Sequence, residues 1–222
     1  MKKIIILVLS VAYLSVGFSQ KEKIDEQWYA VPVSKKVNLN LKFGSNIEVQ
    51  PTTQTKLGIK TIITYKNEAD LKIHQMQVEE NKNELRIVAD MNKEYLNSKS
   101  DKWNCWDCEK TDCQCYRIAF VVMVPKDVEL NLETISGNIE IPQLKNTIQA
   151  KSISGFIDVG IGANAQRQLN FKSVTGEIFT DFDLTLDKNS TPFSKKLNAP
   201  LNGGGPMLAL ETISGDIFFR KK

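Results

Sequence analysis

Apolar and polar residues alternate with a period of two through most of this chain, and the alternation repeats. Residues 130–141 read Leu-Asn-Leu-Glu-Thr-Ile-Ser-Gly-Asn-Ile-Glu-Ile, and segments 148–159, 169–180 and 208–219 align with them without gaps. Such alternation puts one set of side chains on each face of a strand. Each copy reads as a strand, a corner with a hydroxyl residue and a glycine, and a second short strand. The corner glycines are Gly137, Gly155, Gly176 and Gly215, separated by 18, 21 and 39 residues. Glycine there is expected to supply a backbone angle that a β-branched residue adopts only at a cost. Ser136, Ser154, Thr175 and Ser214 read as a hydroxyl ladder along the same corner. A looser copy runs from Val37 to Val49, and Phe182, Leu184 and Leu186 alternate like a further strand inside the longest gap.

One copy cannot bury its apolar face alone, so the copies must stack. Stacking aligns Leu130, Ile148, Leu169 and Leu208 in one row and Ile139, Ile157, Ile178 and Ile217 in another. Near-identical corners at a period of about 20 residues predict an all-β chain folded as a β-solenoid, each strand pairing with its equivalent in the next coil. A β-sandwich is the alternative, since short strands with frequent turns also suit it. The N-terminal half is less regular, with strands predicted at 36–43, 46–50, 57–65, 77–80, 84–91 and 116–124. Residues 67–74 read as a short helix with Asn67 as a possible cap. The Pro- and Gly-rich stretch 187–206 reads as a loop excursion. The division implied is 1–19 as a leader, 20–125 as an N-terminal β region with a Cys-rich hairpin insertion at 97–116, and 126–222 as the repeat solenoid.

The recurring Leu-x-Thr-Ile-Ser-Gly-Asp/Asn-Ile pattern resembles a known family, the bacterial exported "putative adhesin" family of β-strand repeats. The strand ending Val122-Met-Val-Pro125 and the Gly203-Gly204-Gly205 tract before the last copy add to the likeness. The family neighbours the auto-transporter adhesin head domains. The resemblance spans about residues 36–219 and is strongest over 116–219. It implies a parallel β-helix-like fold, a cell-envelope location and no catalytic residues.

The start of the chain changes the picture of where it works. Lys2 and Lys3 precede an almost unbroken apolar run, Ile4 to Val16, followed by Gly17, Phe18 and Ser19. That is the layout of a secretory signal peptide, with cleavage expected after Ser19 or Gln20. The run is shorter than the roughly 20 residues a bilayer-spanning helix needs. Export to the periplasm, envelope or exterior is therefore expected, with no membrane span after cleavage. Cleavage would take two of the 29 basic side chains and none of the 26 acidic ones, leaving a nearly neutral protein. Interspersed charges of both signs argue against a nucleic-acid partner, which would select a clustered basic face.

All four cysteines, Cys105, Cys108, Cys113 and Cys115, fall within eleven residues. In an oxidising compartment an even count most simply means disulfides. Four cysteines allow three pairings. If strands 84–91 and 116–124 form a hairpin, Cys108 faces Cys113 and Cys105 lies near Cys115. Thiolate ligation of zinc or copper, and a redox pair at Cys105 and Cys108, are the alternatives. Trp103, Trp106 and Tyr116 flank the cluster as a possible recognition loop, since aromatics on a pinned loop anchor glycan rings or protein partners. Equally, they could pack over the disulfides.

His74 is the only histidine, which rules out a histidine-based metal trio or catalytic triad. Glu140, Asp158, Glu177 and Asp216 follow the corners and suggest a carbohydrate-active β-helix enzyme as a rival. They stand at different offsets from their glycines, and no acid, base and stabiliser assemble around them. The sequence thus predicts a non-catalytic envelope or surface protein with no cofactor and no metal, acting in structure or in recognition of an envelope, glycan or protein ligand. The rival to the disulfide reading is a metal or redox protein built on the cluster from Cys105 to Cys115.

Overall fold

The computed structural model describes residues 21–65, 68–98, 116–184, 191 and 194–222. The expected signal peptide and all four cysteines lie outside the described residues. The chain is all-β, and its strands form two sheets of eight. Sheet A runs, in spatial order, β1 (Lys21–Tyr29), β4 (Leu57–Tyr65), β7 (Tyr116–Pro125), β3 (Asn46–Thr52), β9 (Asn138–Pro142), β11 (Ile157–Ile161), β16 (Ile217–Lys221) and β13 (Ile178–Thr180). Sheet B runs β14 (Lys195–Leu201), β12 (Arg167–Ser173), β15 (Met207–Ser214), β10 (Ile148–Ser154), β8 (Glu129–Ser136), β2 (Lys36–Leu41), β6 (Leu85–Met91) and β5 (His74–Glu80).

Each repeat crosses from one sheet to the other at its corner, so β8 leads to β9, β10 to β11, β12 to β13 and β15 to β16. The segments at 36–52 and 85–125 supply two more such units, β2 with β3 and β6 with β7. The predicted rows are real: Ile148 pairs with both Leu130 and Leu208, and Ile157 with both Ile139 and Ile217. The alternating side chains meet between the sheets in one core running from Val37 to Phe219. Phe171 of sheet B packs edge-on against Phe219 of sheet A with centroids 5.1 Å apart.

The predicted parallel β-helix-like solenoid is not what forms. A solenoid stacks coils in sequence order, and here the fourth copy, β15–β16, is inserted between the second and the third. Antiparallel strands also flank the parallel ones: β14 lies on β12, β5 on β6, and β1 on β4, which itself pairs antiparallel with β7. The result is two mixed sheets facing each other, neither closed nor solenoidal, and nearer the sandwich alternative. Near-identical copies can pair interchangeably, so phase alone does not select neighbours. The connections do. After β13 the chain returns along the far side of β12 as β14, inside the stretch expected to be loop. It then steps over the start of β12 to become β15. Gly203 and Gly204 take φ of +88° and +85° in that step, and a Cβ on Gly205 would come within 2.5 Å of the Gln166 carbonyl oxygen. The triple glycine is what lets the chain pass there.

Other expectations shift locally. Strand 57–65 forms as predicted, while β1 and the helix α1 (Lys93–Ser98) were not foreseen. The short helix is a 3-10 turn over Glu68–Ile73 that buries Ile73. No strand forms at 181–184, yet Phe182 stacks on Phe219 at 4.8 Å. The strands expected to make a hairpin around the cysteines become β6 and β7, which lie in different sheets. The nested Cys108–Cys113 and Cys105–Cys115 pairing therefore loses the paired-strand geometry it rested on. Arg220 stands on the interior strand β16 and pairs with Asp158 at 3.0 Å.

Candidate functional site

The corner glycines form a column, and their shared constraint is space. A Cβ on Gly137 would lie 1.7 Å from the Gly44 carbonyl oxygen, one on Gly155 2.1 Å from that of Gly137, one on Gly215 2.2 Å from that of Gly155, and one on Gly176 2.0 Å from that of Gly215. Each glycine lets the next unit's backbone close up. Only Gly137 and Gly155 also have positive φ, +137° and +149°, so the angle expected at all four is required at two. Gly44 of the looser copy is the fifth member. The hydroxyl ladder is also displaced. Ser136, Ser154 and Ser214 point to solvent, while buried Ser152, Ser173 and Thr212 donate to the carbonyls of Gly137, Gly215 and Gly155 at 3.2, 3.0 and 3.3 Å. These corners are architecture.

Among the sequence-derived recognition residues, Trp103 and Trp106 lie outside the described residues. Tyr116 opens β7, opposite Tyr65. Its ring is half-buried against the core, and burial pushes its phenol up to about 12. His74 opens β5 with its ring 5.9 Å from Phe120. The ring is half-buried, and that burial lowers its pKa, with Asp25 opposing.

Of the acids near the corners, Glu140 and Asp158 stand side by side on the outer face of sheet A, and Asp158 is held by Arg220. Glu177 pairs with Lys195 at 3.5 Å, and its amide donates to the Asp216 carboxylate at 2.9 Å. They are spread along the sheet and do not face each other across a cleft. Beside them Phe179, 49% exposed, stacks on Phe218 at 5.3 Å.

The outer face of sheet B carries the feature the sequence reading missed. Parallel pairing in register turns the polar half of each repeat into rows that cross the strands. One row reads Arg86, Asn38, Asn131, Gln149, Ala209, Asn170, Asn198 from β6 to β14. The next reads Val88, Asn40, Glu133, Lys151, Glu211, Lys172, Lys196. A third brings together Ile135, Ile153 and Ile213, which are 37%, 41% and 39% exposed, and it continues to Lys42, just after β2, and to Asp90 on β6. The first two rows, apart from Val88, Asn198 and Lys196 at their ends, line an open cleft of about 550 Å³ floored by β2, β8, β10, β15 and β12.

Electrostatics order this face. Glu211 bridges its neighbours, with Lys172 at 3.0 Å and Lys151 at 3.9 Å. Lys42 meets Asp90 at 2.6 Å. Burial alone would raise the Asp90 carboxyl, but the hydrogen bonds from Lys42 and the Met91 amide hold it below the usual carboxylate range. In the amide row Asn38 donates to Glu84 at 2.9 Å and Asn131 donates to Asn38 at 2.7 Å. The chain of bonds stops at the Asn131 side-chain carbonyl, which is buried at the cleft without a partner.

No known family matches this chain, and no curated protein does. A crystal structure described as a "putative cell adhesion protein" from Clostridium sporogenes is similar to it at TM-score 0.53 and 13% identity, over 92% of this chain and 100% of that one. A second, a "putative adhesin" from Bacteroides fragilis, aligns over 89% and 97% at 11% identity, but its TM-score of 0.23 carries no argument. The first likeness shows the fold alone. Among the described residues no helix is long and apolar enough to cross a membrane, and no group of His, Cys, Asp and Glu is arranged to hold a metal ion.

Proposed function

We propose that the chain is an exported, non-catalytic recognition protein of the cell envelope or surface, adhesin-like in role, whose working surface is the outer face of sheet B. The observation that carries this reading is the open cleft lined by aligned amide and charged side chains from successive strands. Such a surface is broad, shallow and repetitive, which suits contact with an extended partner. Enzymes instead gather a few convergent groups in a concave pocket. The apolar leader at Ile4–Val16 supports export, and the description of the clostridial structure supports the adhesin-like role.

The test uses the mature chain, residues 20–222, incubated with envelope fragments of the producing bacterium and sedimented. Wild-type protein is expected to co-sediment. Gln149→Ala combined with Asn170→Ala, which leaves the charged row intact, is expected to reduce the bound fraction at least tenfold with an unchanged melting temperature. Phe179→Ala on sheet A is expected to leave it unchanged. Equal sedimentation of the sheet B variant and wild type would contradict the reading.

A further inference from the structure

Resting on that reading, we infer that the cleft takes an extended, uncharged glycan chain laid across the strands along the amide row. Three observations on this face converge. The first is chemical. Gln149 and Asn170 each present both a donor and an acceptor, the complement of sugar hydroxyls, while Asn38 and Asn131 are tied to Glu84 and to each other and frame the row. Gln149 and Asn170 are exposed on either side of Ala209.

The second is geometric. Parallel neighbours repeat about every 4.8 Å, close to the length of one sugar ring in an extended chain. An amide row with that period can therefore meet successive sugars in the same way. Ala209 interrupts the row between Gln149 and Asn170. Its single methyl leaves a gap in the middle of the row, the place for a ring to settle.

The third is electrostatic. Glu133, Lys151, Glu211 and Lys172 alternate in sign along the adjacent row, so no field of one sign develops over the cleft. An anionic polymer would need a run of cations, which is absent from the middle of this row. Lys151 and Lys172 instead pair with Glu211 and leave Gln149 and Asn170 available.

The experiment adds linear hexasaccharides of glucose and of N-acetylglucosamine, with a uronic-acid hexasaccharide as anionic counterpart, to the envelope sedimentation assay. Direct binding is measured by calorimetry. At least one neutral hexasaccharide is expected to displace the protein from envelope and to bind at least tenfold more tightly than the anionic one. Its affinity is expected to change less than twofold between low and high salt. Ala209→Arg, which fills the gap from an outward-facing position, is expected to weaken that binding at least tenfold without moving the melting temperature. If envelope retention depends on the sheet B face but no neutral hexasaccharide competes, or the anionic one binds better, the glycan inference is overturned and the recognition reading stands. If Ala209→Arg, Gln149→Ala and Asn170→Ala all leave retention unchanged, both fall.

Discussion

Gly155→Ala is expected to cost the fold at least about 4 kcal/mol, among the largest effects of a single substitution. The added methyl would sit 2.1 Å from the Gly137 carbonyl oxygen, which is backbone and cannot rotate away. Relieving the overlap means prising the second repeat from the first, along with the Gly137 hydrogen bond to the Ser154 carbonyl at 3.0 Å. The φ of +149° adds strain of about 1–3 kcal/mol for any residue with a Cβ. At about 2–4 °C per kcal/mol for a chain of this size, the melting temperature should fall by roughly 8–16 °C. Gly215→Ala separates the two causes, because its methyl meets the Gly155 carbonyl oxygen at 2.2 Å without a positive φ. A loss nearly as large there would identify close approach as the main term, and near-neutrality would identify backbone angle. Gly162, which has nothing within 4 Å of a built Cβ, is the control and should tolerate alanine within about 0.5 kcal/mol.

Arg167→Met is expected to cost about 3–5 kcal/mol. Arg167 opens β12 and is only 2% exposed, and burial lowers its pKa. Its guanidinium donates to three consecutive carbonyls, those of Leu144, Lys145 at 3.2 Å and Asn146 at 2.5 Å. One planar fork thus satisfies the whole turn that carries the chain from β9 into β10. Methionine keeps the stem and removes every donor, leaving these acceptors unpaired where water reaches poorly. Arg167→Lys should recover less than half of the loss, since an ammonium on a flexible stem does not reproduce the fork. Thermal unfolding of the two variants checks this, and a lysine variant as stable as wild type would mean that charge, not geometry, is what the turn requires.

Neither residue's role is written in its local sequence in the same way. The glycine column was legible as a recurrence, because every copy repeats the same unit and so the same constraint. What it is for became visible only when Gly44 and Gly137 stood one above the other. Strand placement and the rows through Ile148 and Ile157 were legible because period-two alternation must match a two-faced sheet. The order of the stack was not, since Leu130, Ile148, Leu169 and Leu208 are interchangeable as neighbours. Long-range connections decide it, here the return through β14 and the step at Gly203–Gly205. The same limit hid the candidate site. Asn131, Gln149 and Asn170 each look like an ordinary solvent-facing residue of one strand. They become a row only once the strands are set side by side, with Ala209 between the last two. Arg167 was missed for a related reason: its partners lie 21 to 23 residues away in another repeat's turn.

The recognition face exists only if the fourth repeat lies between the second and the third, so that insertion is the claim to test directly. In register Gln149 is beside Ala209, and Ala209 is beside Asn170, so Gln149 and Asn170 are two strands apart. Neighbouring strands lie about 4.8 Å apart, within the Cα separation of about 4.4–6.8 Å that a disulfide accepts, whereas a two-strand gap exceeds it. Paired cysteines at 149 and 209, oxidised in the folded protein and mapped by peptide mass, are expected to cross-link in high yield. The pair at 149 and 170 is expected to stay unlinked. Cross-linking of 149 to 170 but not to 209 would restore a stack in sequence order and dissolve the face on which the account rests.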